Sequence, residues 1–113
     1  MPIEYKIYNL LKFSRENLTF NSNNIILSDI SSIILSDLVT TIAPNTFEGL
    51  TNLKTIEFGK NLISIGDSCF TNTALKTIIY DGIEYTTEQS FRDAFAGDIG
   101  NDVFTGTQFL LNN

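Results

Sequence analysis

The sequence predicts a β-rich α/β fold in which short parallel strands stack as the coils of a small solenoid. Two segments recur in the middle of the chain. Residues 42–47 return as 65–70 with Ile and Phe at the same places, and the strand-like segment 53–58 returns as 75–80. The offsets are 23 and 22 residues. A repeat of about this length forms one coil of a solenoid, and its neighbours stack on it.

The N-terminal segment, residues 1–29, is predicted to cap the first coil. Apolar residues from Ile3 to Leu11 recur at the spacing of one helix face, yet the first of them also alternate as in a strand, so both structures stay open. A short strand is predicted at 18–20 and a polar turn at 21–24. A cap is expected here because open solenoid ends expose core and strand edges.

Residues 30–80 are predicted to form the coils. The strand template L-x-x-I-x-[FLY] occurs three times, and its first, fourth and sixth positions point inward. These positions are Ile30, Ile33, Leu35, Leu53, Ile56, Phe58, Leu75, Ile78 and Tyr80. The return path adds [VL]-x-x-I followed by Phe. This second inward set is Val39, Ile42, Phe47, Leu62, Ile65 and Phe70. No coil covers its own apolar face, so the coils bury it together.

A second register is also present in the chain. Segment 25–30 resembles 33–38 at an offset of eight residues, which would mark two adjacent strands of one coil. The 23-residue register is preferred because it also accounts for Val39 and Ile42.

The C-terminal segment, residues 81–113, is predicted to form the other cap. The Asp-Gly pair at 81–82 is a turn signal, and a returning strand is expected at 83–85. The apolar stretches 103–104 and 109–111 are predicted either to dock as a final strand or to form an edge for self-association. On this view all 113 residues form a single domain.

A short helix near 87–96 belongs to this cap. Thr86 and Gln89 have the spacing of a capping box, and Gly97 is the expected terminator. The helix carries two phenylalanines one turn apart on the face that would seal the last coil. They are Phe91 and Phe95.

The net charge of −6 is concentrated in the last third, where six acids face Arg92 alone. An acidic surface repels phosphate backbones and attracts basic surfaces, so direct nucleic-acid binding is not expected. The acids form either a contact surface or a solvated cap that keeps the protein soluble. They are Asp81, Glu84, Glu88, Asp93, Asp98 and Asp102.

The residues needed for common catalytic chemistry are missing, and no enzymatic activity is expected. The chain has no histidine, no glycine-rich phosphate-binding motif and one cysteine, so catalytic triads and the usual zinc sites are excluded. Cys69 fills a small slot before Phe70 and is interpreted as a packed hydrophobe. The loop 98–102 has acids but lacks EF-hand spacing. We therefore expect no cofactor and no metal.

The compartment expected from the sequence is the cytoplasm, or a host cytoplasm if the protein is phage-encoded. The start at Met1 shows no charged region followed by an apolar one, as a secretory signal would. No apolar run approaches the roughly 20 residues that a membrane-spanning helix needs. Membrane insertion is therefore not expected.

The stretch from Val39 to Phe70 resembles the bacterial leucine-rich repeats of the BspA-like surface-antigen type. Their unit is similar to I-G-x-x-A-F-x-x-C-x-x-L-x-x-I-x-[IL]-P-x-x-[VL]-x-x-I. The resemblance covers about residues 30–80 and departs from the pattern at Thr46 and Cys69, which replace a small alanine. It implies a short leucine-rich-repeat solenoid and recognition of proteins or surfaces, with no shared chemistry.

The predicted partner-binding surface is the outward, concave face of the strands. In the 23-residue register Ser32, Thr55 and Thr77 form one row, and Ile34, Glu57 and Ile79 form the next. Outward isoleucines are unexpected on a solvated surface. They indicate either apolar anchors beside a carboxylate or residues covered by the terminal segments.

Three functions stay open at the level of the sequence. The favoured one is a protein-binding module that recognises another protein through the strand face. The first alternative is a small acidic phage-type inhibitor, anti-defence or anti-CRISPR-like, which blocks a nucleic-acid-binding host protein by placing carboxylates where phosphates bind. The second alternative is a self-assembling surface repeat protein, a homo-oligomer held through the C-terminal segment.

Overall fold

The computed structural model describes residues 3–7, 11–16 and 27–111. The strand predicted at 18–20 and the turn at 21–24 lie outside the described residues. The strands that the structure describes are β1 (Ile3–Ile7), β2 (Lys12–Phe13), β3 (Ile30–Leu35), β4 (Thr41–Ile42), β5 (Thr55–Phe58), β6 (Ser64–Ile65), β7 (Thr77–Tyr80), β8 (Ile83–Tyr85) and β9 (Asp98–Ile99). The helices that the structure describes over their whole length are α1 (Glu88–Ala94) and α2 (Gln108–Leu111), and a 3-10 turn spans Leu27–Asp29. Residues 15–16 are also helical.

The strands form two sheets that the chain visits in turn. The first sheet has the order β1-β3-β5-β7-β8, and the second has the order β2-β4-β6-β9. Neighbouring strands are parallel, except for the antiparallel pair β7–β8. Parallel neighbours need a crossover between them. Here the crossover from β3 to β5 carries β4, and the crossover from β5 to β7 carries β6.

The register of the first sheet confirms the repeat of 22–23 residues. Ile33 lies opposite Ile56, and Ile56 lies opposite Ile78. In the second sheet Ile42 lies opposite Ile65. The eight-residue register is wrong, because β3 pairs with β5 and not with a strand eight residues away.

The core contains the side chains that the two templates assign to it. Leu53, Ile56 and Phe58 are at most 2% exposed, and the matching residues of β3 and β7 are also buried, apart from Tyr80. Tyr80 is partly exposed, and its ring lies 5.3 Å from that of Phe95. Alternate residues of a strand face opposite sides of its sheet, which explains the fourth and sixth template positions. The first position lies before the strand in the second and third repeats, where the chain turns its side chain inward.

Residues 3–7 are a strand, so the helix alternative for them is wrong. β1 runs parallel to β3, with Tyr5 opposite Ile33. Downstream, β2 joins the second sheet with Phe13 opposite Ile42. The edges of β3 and β4 offer unpaired backbone groups, and pairing with them outweighs the helical spacing of the apolar residues.

The returning strand at 83–85 and the helix after it are confirmed, but the predicted ends of the helix are wrong. The N-cap is Thr87, whose Oγ1 accepts a hydrogen bond from Ser90 N at 3.2 Å, not Thr86. Phe95 forms the C-cap. Gly97 has another role, because a Cβ there would come within 2.3 Å of the Ile63 carbonyl oxygen. Only glycine fits this close approach of two backbones.

Helix α1 covers the end of the first sheet with its apolar face, as predicted. Phe91 is fully buried and lies 5.9 Å from both Phe58 and Tyr80. Phe95 packs 5.2 Å from Phe91. These edge-on and stacked ring contacts remove the apolar surface of β5 and β7 from water.

Each strand β4, β6 and β9 leads into a loop of the same shape, here called an arc. The arcs are residues 42–49, 65–72 and 99–106. The third arc was not predicted from the sequence, although Ile99 to Phe104 repeats the I-G-x-x-x-F pattern of 65–70. Residues 103–104 therefore lie in an arc and Phe109 in α2, so the prediction of a final strand for them is wrong.

The arcs stack on one another through backbone hydrogen bonds and rings. Phe47 N donates to the Cys69 carbonyl and Phe70 N to the Val103 carbonyl, both at 3.0 Å. The rings of Phe47 and Phe70 stack at 5.2 Å, and those of Phe70 and Phe104 at 6.0 Å. Hydrogen bonding between repeats thus continues through the loops as well as the sheets.

Candidate functional site

The structure brings together the six residues that the sequence places on the outward side of the first sheet. Ser32, Thr55 and Thr77 occupy paired positions on β3, β5 and β7, and Ile34, Glu57 and Ile79 occupy the next outward positions. These two rows are called the strand face below. All six residues are partly exposed, while the inward residues between them are buried.

Glu57 is the one charged member of the strand face, and it lies between two isoleucines. Its paired neighbours are Ile34 on β3 and Ile79 on β7. Adjacent strands are about 4.8 Å apart, so both isoleucine side chains lie beside the carboxylate. Among the side chains that the structure describes, none forms a hydrogen bond or ion pair with Glu57.

The row that holds Glu57 continues into the flanking strands. Glu84 of β8 is the paired neighbour of Ile79, and Lys6 of β1 holds the register position beside Ile34. Both strands extend the first sheet sideways, so these parts of the terminal segments lie beside the strand face. This extension was not predicted, because the sequence pattern gives neither strand a register.

The six C-terminal acids do not converge on one place. They are divided among the β7–β8 turn, β8, α1, β9 and the third arc. Glu88 forms an ion pair with Arg92 one helical turn away, and Asp93 accepts a hydrogen bond from Gln89 Nε2 at 2.8 Å. Asp98 lies opposite Ser64 in the second sheet, whereas Glu84 belongs to the first sheet.

A shallow groove on the second sheet is a further surface feature, which was not predicted from the sequence. It has a volume of about 310 Å³ and crosses the paired positions Lys12, Thr41, Ser64 and Asp98. A lysine stands at one end of the row and an aspartate at the other. The signal was present in the sequence, since each of these residues directly precedes an inward apolar residue.

Cys69 is a buried, packed residue, as the sequence predicts. It is fully buried and its Sγ donates to the Ala43 carbonyl at 3.4 Å. Burial raises the pKa of its thiol to about 12, although hydrogen bonds from the backbone around Thr46 act in the opposite direction. A thiolate is the reactive form of cysteine, so this thiol is held in its inert state at neutral pH.

The described part of the chain shows neither a metal cluster nor a membrane-spanning helix. No three acidic, cysteine or histidine side chains converge there in a way that would hold a metal ion. No helix in this part is long and apolar enough to cross a bilayer. Helix α1 spans seven residues.

Comparison with known proteins gives a match to one family model. The model is described as BspA type leucine rich repeat region (6 copies), and it matches residues 18–97. The match covers 80 of the 113 residues and includes β3 to β8 together with α1. No curated protein and no solved structure matches the chain.

Proposed function

Because the chain belongs to the BspA-type leucine-rich-repeat family, we propose that it is a short solenoid that binds another protein through the strand face. One observation carries the proposal, namely the in-register row of Ile34, Glu57 and Ile79 on the outward side of parallel strands. Stacked repeats of this kind present extended binding surfaces, because each coil adds one residue to each row.

Affinity would come mainly from the two isoleucines. Ile34 and Ile79 are partly exposed, whereas six of the ten strand isoleucines with described side chains are buried. Full burial of such a side chain is worth about 1.5–3 kcal/mol. A partner that covers the two isoleucines would bury the area that is still exposed and gain the corresponding part of this energy. A few anchors of this type carry most of the energy of a protein interface.

The row of hydroxyl-bearing residues would fix the orientation of the bound partner and contribute to selectivity. Ser32, Thr55 and Thr77 each carry a hydroxyl that donates one hydrogen bond and accepts others. Such groups around apolar anchors resemble the polar rim of a typical interface. The strand face therefore has the two components of a recognition surface, apolar contacts and adjacent hydrogen-bonding groups.

The proposed role is recognition without catalysis. The sequence has no histidine, and its single thiol is buried with a raised pKa. The one carboxylate of the strand face, Glu57, stands between apolar residues and not beside a second acid or a base. Binding requires none of these groups, so it is the function that the available side chains support.

The proposal is tested with two surface variants and a matched control. Ile34→Asp and Ile79→Asp place a carboxylate on the strand face, and Ile63→Asp makes the same change at a residue that is 60% exposed before β6. Partners captured with the wild-type chain should lose at least about 30-fold in affinity for the first two variants, as at an interface hot spot. Unchanged affinity, in variants whose circular dichroism matches the wild type, would overturn the proposal.

Salt dependence separates this function from the acidic inhibitor. Apolar recognition should persist as salt rises, whereas a phosphate mimic should weaken and should be displaced by DNA or RNA. The separation of the acids over two sheets and a helix favours the first behaviour. The self-assembling alternative has less support, because Phe109 is fully buried and packs 5.0 Å from Phe104 in the same chain.

A further inference from the structure

We propose that the partner presents an amphipathic α-helix that lies across the strands of the strand face, with a basic residue between two apolar ones. This inference deepens the proposed function and rests on it. Two properties of the row carry it. One is the spacing of Ile34, Glu57 and Ile79 along one line, and the other is the carboxylate in the middle, which pairs with none of the described side chains.

The spacing of the row matches the pitch of a helix. Adjacent strands are about 4.8 Å apart, so Ile34 and Ile79, on strands two apart, are separated by roughly 10 Å. Helix residues i, i+4 and i+7 lie on one face, and at about 1.5 Å per residue they span about 10.5 Å. A helix laid along the row therefore places one residue over each member, with a mismatch of about 1 Å that side chains absorb.

Other peptide conformations fit the row less well. An extended strand places alternate residues about 6.6 Å apart, so three of them cover about 13 Å and overshoot the row. A polyproline II helix repeats after three residues, or about 9.3 Å, which reaches both isoleucines but puts no residue of that face over Glu57. Among the regular conformations, only the α-helix brings a side chain to all three positions.

The charge of Glu57 determines what the middle residue of the helix must be. A partner that covers Ile34 and Ile79 also removes water from the carboxylate between them. Burying a carboxylate without a partner is costly, and the described residues supply none for Glu57. Arginine fits best, since its planar guanidinium binds a carboxylate through two parallel hydrogen bonds.

On the β8 side the surroundings of the row favour the same partner. At the β1 end the register position beside Ile34 is held by Lys6, so the basic residues of the helix are expected at its middle and at its β8 end. Glu84 continues the row beyond Ile79 and would receive a second basic residue one helical turn further along. The chain carries a net charge of −6, which attracts a basic segment at long range and raises its association rate. Both effects add to the contact at Glu57.

The direct probe is a synthetic helical peptide with leucine, arginine and leucine at positions i, i+4 and i+7. We expect it to bind the full chain in a fluorescence polarisation assay, and a scrambled peptide of the same composition to bind at least about tenfold more weakly, because its side chains do not face one side. A peptide with glutamate at i+4 should also bind at least about tenfold more weakly.

Charge exchange identifies the contact residue. Glu57→Arg should lower the affinity for the arginine peptide by at least about tenfold and raise the affinity for the glutamate peptide. Asp98→Arg is the matched control, because it changes the net charge equally but lies on the second sheet. If both variants lower the affinity for the arginine peptide to the same extent, the effect is long-range attraction and the proposed contact is overturned.

The outcomes separate this inference from the proposed function. If Ile34→Asp abolishes capture of the natural partner but neither helical peptide binds, the binding surface stands and the helical occupant is rejected. Tighter binding of a proline-rich peptide than of the arginine peptide also rejects it. Both the binding surface and the helical occupant are supported if the arginine peptide displaces the natural partner and Glu57→Arg reverses the preference between the two peptides.

Discussion

The guanidinium of Arg15 donates a hydrogen bond to the carbonyl oxygen of Glu48 at 2.8 Å and another to that of Thr46 at 3.2 Å. In the second arc the equivalent carbonyls belong to Cys69 and Thr71, and they accept backbone N–H groups from the first arc. Arg15 thus takes the place that backbone donors hold between the other arcs. One side chain satisfies two acceptors at the N-terminal side of the stacked arcs.

Replacing Arg15 should destabilise the protein more than its position near the surface suggests. Arg15→Met keeps much of the side-chain length but leaves two partly buried carbonyls without their donor, which costs about 1–3 kcal/mol. Urea unfolding followed by circular dichroism measures the loss. The control is Arg92→Met, which removes a partly exposed ion pair and a cation–π contact with Phe104, each worth at most about 1 kcal/mol, and leaves no backbone carbonyl without its donor. Equal midpoints for the two variants would contradict the role given to Arg15.

The stacked phenylalanines should be sensitive to truncation. Phe70 is fully buried between Phe47 and Phe104. Phe70→Ala should lower the unfolding free energy by about 3–5 kcal/mol, a large part of the 5–15 kcal/mol typical of a domain. Phe70→Leu retains more volume and should lose clearly less. If the two variants unfold at the same denaturant concentration, the stack does not contribute as the geometry indicates.

Cys69 should be unreactive in the folded protein. Its thiol is fully buried and burial raises its pKa to about 12. A coloured disulfide reagent at pH 8 should therefore modify it at the rate of unfolding, and rapidly once urea is added. Fast modification of the native chain, before any loss of structure, would show that the site opens without unfolding.

The same pKa shift makes stability depend on alkaline pH. The thiol has an ordinary pKa near 9.0 when the chain is unfolded and about 12 when it is folded. Below pH 9 both states hold the proton, so this contribution to stability is fully present. Between these two values only the unfolded state releases it, and stability falls with rising pH. Cys69→Val places at this position the residue that the third arc has at Val103. Unfolding curves of the wild type and this variant, measured over the same pH range, should show that the variant loses less stability between these two pH values.

Each arc contains a residue in the left-handed region three positions after its isoleucine. The φ angles are 61° at Asn45, 56° at Ser68 and 58° at Asp102. A branched side chain is strained there, so Ser68→Val should cost about 1–2 kcal/mol. Ser68→Asn, which copies the first arc, should be neutral or stabilising, since asparagine tolerates this conformation. Thermal unfolding of both variants tests this, and the prediction fails if the valine variant is as stable as the wild type.

Much of the strand face was predictable because it depends on local alternation. Once β3, β5 and β7 share a template, the residues between the inward ones must face outward, and Glu57 must lie between Ile34 and Ile79. The third arc was not predictable in the same way. Ile99 follows Ile65 by 34 residues and not 23, because β8 and α1 occupy the added length. A search at constant spacing therefore passes over it.

The inward and outward positions of the repeated strands follow from the order of amino acids alone, because neighbouring residues of a strand face opposite sides. The pairing of β1, the close approach of Gly97 to Ile63 and the capture of two carbonyls by Arg15 depend on how distant segments meet in space. These contacts join residues more than 25 positions apart, and a short stretch of sequence does not indicate which distant segment it will contact. Backbone hydrogen bonding at an open edge then overrides local preference, which is why the first residues form a strand.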